Sequence, residues 1–210
     1  MTMPRITVVS GGLRVPSSTR LLADQLGDAV EAALTGSPDA AELRQVELRD
    51  HAHAIVDALL TGFPTGDLRT AIEAVTAADA LIVVTPTFQG SYGGLFKSFF
   101  DLVEAGSVRG VPVLLGATGG TERHSLVIEH ALRPLFSYLG ALTVPTGVYA
   151  ATADFGGPGT AALATRIDRA AGELAAMIGR FVRPAADPEV VPFSDLLAAT
   201  RPGEPPAGGD

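Results

Sequence analysis

The stretch Ala80-Leu81-Ile82-Val83-Val84-Thr85-Pro86 decides the fold. Its five leading apolar residues are typical of a central parallel strand that helices cover on both faces. Pro86 is predicted to end this strand, because proline has no N–H to donate to the ladder. The uncharged residues 87–92 that follow are rich in small and hydroxyl side chains, so their backbone can approach a flat, polar-edged ligand. Apolar residues return at helical spacing from about Gly93, which predicts a helix there.

Strand and helix patterns alternate along the whole chain, as in a parallel sheet with helices on both faces. Five strands are predicted, at about 5–9, 43–48, 80–84, 111–116 and 142–144, with the last able to resume at 148–149. Helices are predicted at about 18–34, 67–77, 122–139 and 160–182, besides the one from Gly93. Right-handed crossovers then favour an α/β, doubly wound, flavodoxin-like sheet of five parallel strands in the order 2-1-3-4-5.

Composition narrows the class of protein. The 210 residues suffice for one domain, predicted over 1–184, and the Pro-, Gly- and Ala-rich remainder, 185–210, is predicted to be an extended, partly disordered arm. The absence of cysteine excludes disulfides, iron–sulfur clusters, thiolate metal sites and cysteine nucleophiles. Any redox chemistry would therefore need a bound cofactor.

Charge and hydropathy exclude two kinds of partner. A net charge of −8 and a single lysine, Lys97, argue against a nucleic-acid surface, because neutralising phosphates needs clustered lysine and arginine. No apolar run is long enough to span a membrane, and the first strand begins too early for a signal peptide to precede it. We therefore expect a soluble, cytoplasmic protein.

Three loops of unusual composition follow predicted strands 1, 3 and 4: loop one (10–20), loop two (87–92) and loop three (118–121). Because parallel strands end at one edge of the sheet, we expect these loops to form a single ligand crevice. Loop one leads into a helix N-terminus, which favours an anion such as a phosphate monoester, and its hydroxyls and Arg14 add donors. The alternative is a glycine-rich turn in which Ser17 or Ser18 simply caps the helix.

Loops two and three predict contacts with a heteroaromatic ring. Loop two offers backbone donors and acceptors, with Phe88 or Tyr92 as an apolar face. Taken alone, loop two could be a tight turn and loop three a flexible helix cap. His124 and His130 lie six residues apart, so they cannot share a metal on one helix, and we predict neither a metal site nor a protein acid or base.

Three motifs together resemble the NAD(P)H-dependent FMN reductases of the flavodoxin-like group. The similarity covers about 6–156 and is greatest to reductases of two-component flavin monooxygenases, both alkanesulfonate-type systems and partners of luciferase-like monooxygenases. The motifs are Ser10…Arg14…Ser17-Ser18-Thr19-Arg20, Thr85-Pro86…Ser91-Tyr92…Gly94…Lys97, and Ala117-Thr118-Gly119-Gly120-Thr121…His124…Ala131-Leu132-Arg133-Pro134.

This resemblance implies a set of site residues and partners. The FMN phosphate would be held by Ser10, Arg14, Ser17, Ser18 and Thr19, and the ring would be flanked by Pro86, Thr87, Phe88, Gln89, Gly90, Ser91, Thr118, Gly119 and Gly120. It further implies NADPH or NADH as hydride donor, a homodimer or homotetramer, and a monooxygenase that receives reduced FMN. In alkanesulfonate-type reductases a tyrosine can occupy a π-bulge at the position of His130, which implies a role for His130 in a tetramer interface or in flavin exchange.

Two alternatives stay open. The chain could be a flavoprotein that retains FMN and reduces a quinone or azo compound, or a flavodoxin-type electron carrier that does not turn over NAD(P)H. The Gly93-Gly94…Lys97 helix start and the Thr-Gly-Gly of loop three favour a reductase over a small carrier. The segment 149–157 is predicted to be a loop available for subunit contact.

Overall fold

The computed structural model describes residues 3–35, 41–157 and 159–180. The predicted arm, 185–210, and the end of the last predicted helix lie outside the described residues. The strands are β1 Arg5–Ser10, β2 Glu42–Glu47, β3 Ala80–Phe88, β4 Ser91–Tyr92, β5 Pro112–Gly119, β6 Leu142–Thr143 and β7 Val148–Ala151. The α-helices are α1 Ser18–Thr35, α2 Ala52–Thr61, α3 Gly66–Thr76, α4 Gly94–Phe100, α5 Arg133–Tyr138 and α6 Thr160–Met177.

The predicted parallel α/β sheet is confirmed, but the exact count and order of five strands are wrong. The described chain has seven strands, in the order β2-β1-β3-β5-β6, with β4 antiparallel to β3 and β7 parallel to β5. Strand β4 is the second strand of a short hairpin, in which the end of loop two pairs antiparallel with the end of β3. The predicted fifth strand is divided into β6 and β7. The N–H groups of Leu142 and Val144 donate to the β5 side, whereas that of Thr146, the next in line, donates to the Glu173 carboxylate at 2.7 Å.

The prediction that Pro86 ends its strand is also wrong, since β3 continues to Phe88 and Pro86 pairs with Thr118 of β5. Alternate residues of a strand direct their polar groups to the same side. The carbonyl of Val84 accepts from Gly11 on the β1 side, so the nitrogen of Pro86 faces that side as well. Pairing with β1 stops after the Gly11 hydrogen bond, whereas pairing with β5 on the other side continues through Pro86 and Thr118, so β3 extends past the proline.

The predicted continuous helix over 122–139 is wrong. The chain forms a 3₁₀ turn at Glu122–His124, a π-helix at Ile128–Leu132 and then α5. A continuous α-helix would need an N–H at position 134 to bond the carbonyl at 130, and Pro134 has none. The N–H of Arg133 instead donates to the carbonyl of Ile128, five residues back. The π-helix includes His130, at the position that the resemblance implied.

Helix α2 was missed by the sequence analysis, which predicted no helix over its residues. A 3₁₀ turn at Leu48–His51 leads into it, and Ile55 and Ala58 are its buried residues. Other apolar residues of this helix, such as Val56 and Leu60, are exposed, and they obscure the one-sided pattern that identifies an amphipathic helix.

Two apolar clusters cover the two faces of the sheet and hold its carboxyl edge in place. One packs α1 and α6 against one face, and the other packs α2, α3, α4 and α5 against the opposite face. In the second cluster the ring centroids of Phe96 and Phe136 both lie close to that of Phe100, at 4.8 and 5.0 Å from it respectively. These aromatic contacts fix α4, and with it the end of loop two. No helix in the described ranges has the length and apolar character needed to cross a membrane.

Candidate functional site

The three loops meet at the carboxyl edge of the sheet, as predicted. The backbone N–H of Gly11 in loop one donates to the carbonyl of Val84, just before loop two, over 2.8 Å. The hydroxyls of Thr19 and Thr118 hydrogen-bond at 2.8 Å in a buried position, which joins the start of α1 to loop three. Loop one is therefore in direct contact with the structures that carry both other loops.

Loop one ends in a capped helix N-terminus. The Ser17 hydroxyl accepts from the N–H of Arg20 at 3.2 Å, and α1 begins at Ser18. A Cβ added at Gly12 would lie 2.1 Å from the Ser17 hydroxyl, so the close approach of this loop to its own cap requires glycine. The other N–H groups of the first turn have no acceptor within the helix and can bind an anion. The capping role of Ser17 and the anion site are thus compatible.

The arginines of this region differ in availability. Arg20 donates to Asp24 at 2.6 Å and to Glu47 at 3.1 Å, and the hydrogen bond with Asp24 raises the pKa of the guanidinium. Arg14 has an exposed side chain, and its carbonyl accepts from Arg49 at 3.2 Å. Loop one therefore has one arginine, Arg14, whose charge is not already satisfied by a carboxylate among the described residues.

Arg49 was missed by the sequence analysis. It belongs to the 3₁₀ turn after β2, and β2 pairs with β1 in parallel, so the end of β2 adjoins loop one. The predicted strand order already places β2 beside β1, so it implies that the turn after β2 lies next to loop one.

Loop two is a tight hairpin rather than an open loop. Phe88 pairs with Ser91, and the two residues between them, Gln89 and Gly90, have φ angles of 50° and 78°. Two successive positive φ values are typical of a type I′ turn. The N–H of Gly93 donates to the buried Thr85 hydroxyl at 2.9 Å, which fixes the start of α4. Phe88 is 47% exposed and lies at the tip of the hairpin.

Residues of the crevice fit a bound flavin. The Ser10 and Thr87 hydroxyls are buried without a hydrogen-bond partner in the described part of the chain. An unsatisfied buried hydroxyl costs about 1–3 kcal/mol, so both atoms favour a polar ligand at this edge. A Cβ added at Gly90 or Gly120 would meet nothing within 4 Å, which leaves open space beside loops two and three.

The predicted site residues differ in burial. Ser10, Thr19 and Thr118 are buried, whereas Ser17, Pro86, Thr87, Ser91 and Gly119 are partly buried and Arg14, Ser18, Phe88, Gln89, Gly90 and Gly120 are exposed. All of them lie on the three loops or on the adjoining strand ends. His124 and His130 are exposed, and no three His, Asp or Glu side chains of the described ranges group closely enough to hold a metal ion.

Tyr149 lies in β7, which confirms the predicted resumption of the last strand at 148–149. It is only 7% exposed, so it is not part of an exposed loop for subunit contact, to which the segment 149–157 was also assigned. Its hydroxyl donates to the carbonyl of Thr121 in loop three at 2.7 Å, and burial raises the pKa of its phenol. The parallel pairing of β7 with β5 brings this side chain to loop three.

Comparison with known proteins identifies the family. A family model described as NADPH-dependent FMN reductase matches residues 4–156. The chain belongs to this family of FMN reductases. This FMN reductase is 42% identical over 151 residues to an NADH-dependent FMN reductase, SfnF, of Pseudomonas putida, which covers 72% of this chain and 79% of the relative. It is also 42% identical over 156 residues to an FMN reductase (NADPH) of Pseudomonas aeruginosa, with 74% of this chain and 81% of that protein covered.

Solved structures agree with the sequence comparison. An oxidoreductase from Corynebacterium diphtheriae superposes with a TM-score of 0.82 and 46% identity, covering 86% of this chain and 99% of that one. A flavodoxin, WrbA-like protein of Agrobacterium tumefaciens, at 18% identity and a TM-score of 0.57, shows that the fold is flavodoxin-like. The FMN reductase therefore uses FMN together with NADH or NADPH, which confirms the resemblance seen in the three motifs.

Proposed function

We propose that this enzyme treats FMN as a substrate that it binds, reduces and releases, and that the reduced FMN serves a partner monooxygenase. The observation that carries the proposal is the exposure of loops two and three. Phe88 is 47% exposed, and a Cβ added at Gly90 or Gly120 would meet no protein atom within 4 Å. A ring held on an open surface buries less area than an enclosed prosthetic group, and this favours exchange. The similarity of the three motifs to reductases of two-component monooxygenases supports the same function.

The FMN phosphate is assigned to loop one. Its ligands in the proposal are the first-turn N–H groups of α1, the exposed Arg14 and the hydroxyls of Ser10, Ser17, Ser18 and Thr19. In the Thr19–Thr118 pair one hydroxyl donates to the other, so the pair keeps one proton for a further acceptor. The unpartnered Ser10 hydroxyl would gain a hydrogen bond here.

The ring is assigned to the space between loops two and three. Pro86, Thr87, Phe88, Gln89, Gly90 and Ser91 would flank it on one side and Thr118, Gly119 and Gly120 on the other. The unpartnered hydroxyl of Thr87 and the glycine backbones supply hydrogen-bonding groups without bulky side chains. The nicotinamide would approach over the face that the exposed Phe88 and Gly120 leave open.

Hydride transfer makes a limited demand on the protein. Bound FMN supplies the redox chemistry, since it accepts the hydride of the nicotinamide. The chain binds the phosphate, orients the ring through the backbone of loops two and three, and leaves one face accessible. No side chain in this arrangement acts as an acid or base, and the work of the protein is positioning.

Assembly and location are further parts of the proposal. We assign residues 1–184 to one domain and infer a homodimer or homotetramer acting in the cytoplasm. Large apolar side chains on the surface support self-association, among them Leu60 at 82% and Phe63 at 76% exposure. The lack of cysteine agrees with a reducing compartment. His130 keeps its proposed role at a subunit interface or in flavin exchange, on the exposed part of the π-helix.

A two-chamber experiment tests release. The enzyme, NADH or NADPH and FMN are placed without oxygen on one side of a dialysis membrane, and cytochrome c on the other side reports reduced FMN that has crossed. We expect cytochrome c reduction to depend on both enzyme and FMN. Consumption of one equivalent of nicotinamide, with FMN retained on the protein and no reduction across the membrane, would favour the flavin-retaining alternative.

A further inference from the structure

Tyr149 lies between two of the proposed flavin-contacting loops. Strand β7 places it beside Ala117 of β5, and its hydroxyl extends to the Thr121 carbonyl at 2.7 Å. A Cβ built on Gly119 would lie 2.1 Å from this hydroxyl and 3.7 Å from the Cβ of Thr87 in loop two. The phenol therefore fills the space where loop three approaches loop two.

Gly119 complements the tyrosine. Its φ angle is outside the left-handed region, so the backbone conformation alone does not require glycine at this position. The requirement comes from space, because the Tyr149 hydroxyl occupies the place of a β-carbon. The two residues fit each other as a pair.

Loop three has two anchors, one at each end. At its start the Thr118 hydroxyl bonds that of Thr19, and at its end the Thr121 carbonyl bonds Tyr149. Between the anchors are Gly119, which ends β5 and pairs with Ala151 of β7, and Gly120, which lies beyond the strand and has wide backbone freedom. Loss of the second anchor would leave Gly120 and the end of β5 to be ordered by the ligand, and ordering a loop on binding lowers affinity.

We propose that Tyr149 is a positioning residue for FMN, which holds loop three at the distance from loop two that the ring needs. This rests on the proposed placement of the ring between loops two and three. Tyr149 does not contact the reacting atoms in this arrangement. It acts through the backbone of loop three, so its loss should affect FMN binding more than the rate of hydride transfer.

The first test is Tyr149→Phe, which removes only the hydroxyl. We expect the Kd of FMN, from quenching of flavin fluorescence, and the KM for FMN to rise by about 3- to 10-fold, the effect of one hydrogen bond. The kcat at saturating FMN should stay within about twofold of wild type. Tyr138→Phe makes the same chemical change at a side chain that is 88% exposed, and it should leave both constants unchanged.

The second test uses the fit of the pair. Gly119→Ala alone should weaken FMN binding more than Tyr149→Phe, because the new methyl meets the hydroxyl at 2.1 Å. In the double variant the nearest atom of the ring is Cζ, at 3.3 Å from the new Cβ, which a small shift can accommodate. We therefore expect the double variant to bind FMN more tightly than Gly119→Ala, although it carries an additional substitution.

The outcomes separate this proposal from the placement of the flavin and from the enzymatic activity. An unchanged FMN Kd in Tyr149→Phe, or a double variant that binds FMN no better than Gly119→Ala, overturns the positioning role while wild-type turnover still supports the reductase. A wild-type protein that does not bind FMN would overturn both. Thermal unfolding without FMN shows whether Gly119→Ala folds, and Tyr149→Phe decides the question if it does not.

Discussion

The Thr19–Thr118 hydrogen bond should stabilise the fold even without ligand. The two residues are 3% and 2% exposed, and their hydroxyls lie 2.8 Å apart. Thr19→Val keeps the shape of the side chain but leaves the Thr118 hydroxyl buried without this partner. The expected loss in the free energy of unfolding is about 1–3 kcal/mol, the cost of an unsatisfied buried polar group.

The double variant provides the decisive comparison. When both hydroxyls are replaced by methyl groups, no unsatisfied partner remains, so the combined loss should be smaller than the sum of the two single losses. We expect a coupling free energy of about 1 kcal/mol or more between the two positions. Thr165→Val is the matched control, because its hydroxyl bonds a carbonyl of its own helix, Ala161 at 3.0 Å, in an exposed position. Its effect should stay within about 0.5 kcal/mol.

Urea unfolding of the flavin-free protein measures these differences. The chain has no tryptophan, so far-ultraviolet circular dichroism is the suitable probe. The reasoning is refuted if each single variant loses less than about 0.5 kcal/mol, or if the two losses add without coupling. Either result would mean that the contact between loop one and loop three is not held by this pair.

Three further predictions concern the ligand, pH and the core. Arg14→Ala should weaken FMN binding by about 1–3 kcal/mol in a fluorescence titration, whereas Arg5→Ala, at the opposite end of β1, should not; equal affinities would remove Arg14 from the site. Arg133 donates to Glu129 at 2.7 and 2.9 Å, and this lowers the pKa of that carboxyl. The stability that this pair contributes is present above the pKa of Glu129 in the unfolded chain and is lost as the pH falls through its pKa in the folded protein. The difference in unfolding free energy between wild type and Glu129→Gln, below about 1 kcal/mol for an exposed pair, should therefore shrink on acidification. A difference that stays constant with pH in urea unfolding would contradict this. Phe136→Ala should cost about 3–5 kcal/mol in the same assay, and a loss below about 1 kcal/mol would show that the aromatic cluster is not tightly packed.

Local signals in the sequence were sufficient for the main strands and for the three loops. Continuous apolar runs predicted β3 and β5, and the serines before α1 predicted a helix cap, which Ser17 provides. Both patterns could be recognised because they involve only residues that are neighbours in the sequence. The failure at Pro86 has a different origin. Whether a proline interrupts a sheet depends on which neighbour its nitrogen faces, and that requires knowing that β1 ends at Ser10.

Long-range pairings account for most of what the sequence analysis missed in the site. Besides its local partner Asp24, Arg20 donates to Glu47, which is 27 residues away, and the Tyr149 hydroxyl donates to Thr121 across 28 residues. Composition cannot show which charge or hydroxyl another element brings to a loop. The π-helix was suggested only through the family resemblance, although Pro134 is a local reason for the interruption of an α-helix near His130.

The most direct test of the central claim is the rate of NADH and NADPH oxidation by flavin-free protein as free FMN is added, followed by absorbance at 340 nm. If FMN is a substrate, the rate should rise and saturate with free FMN, many nicotinamides should be consumed per protein, and the two nucleotides should reveal the preferred donor. A rate independent of free FMN would indicate a retained flavin. No oxidation despite FMN binding would contradict the assignment as a reductase and favour an electron carrier.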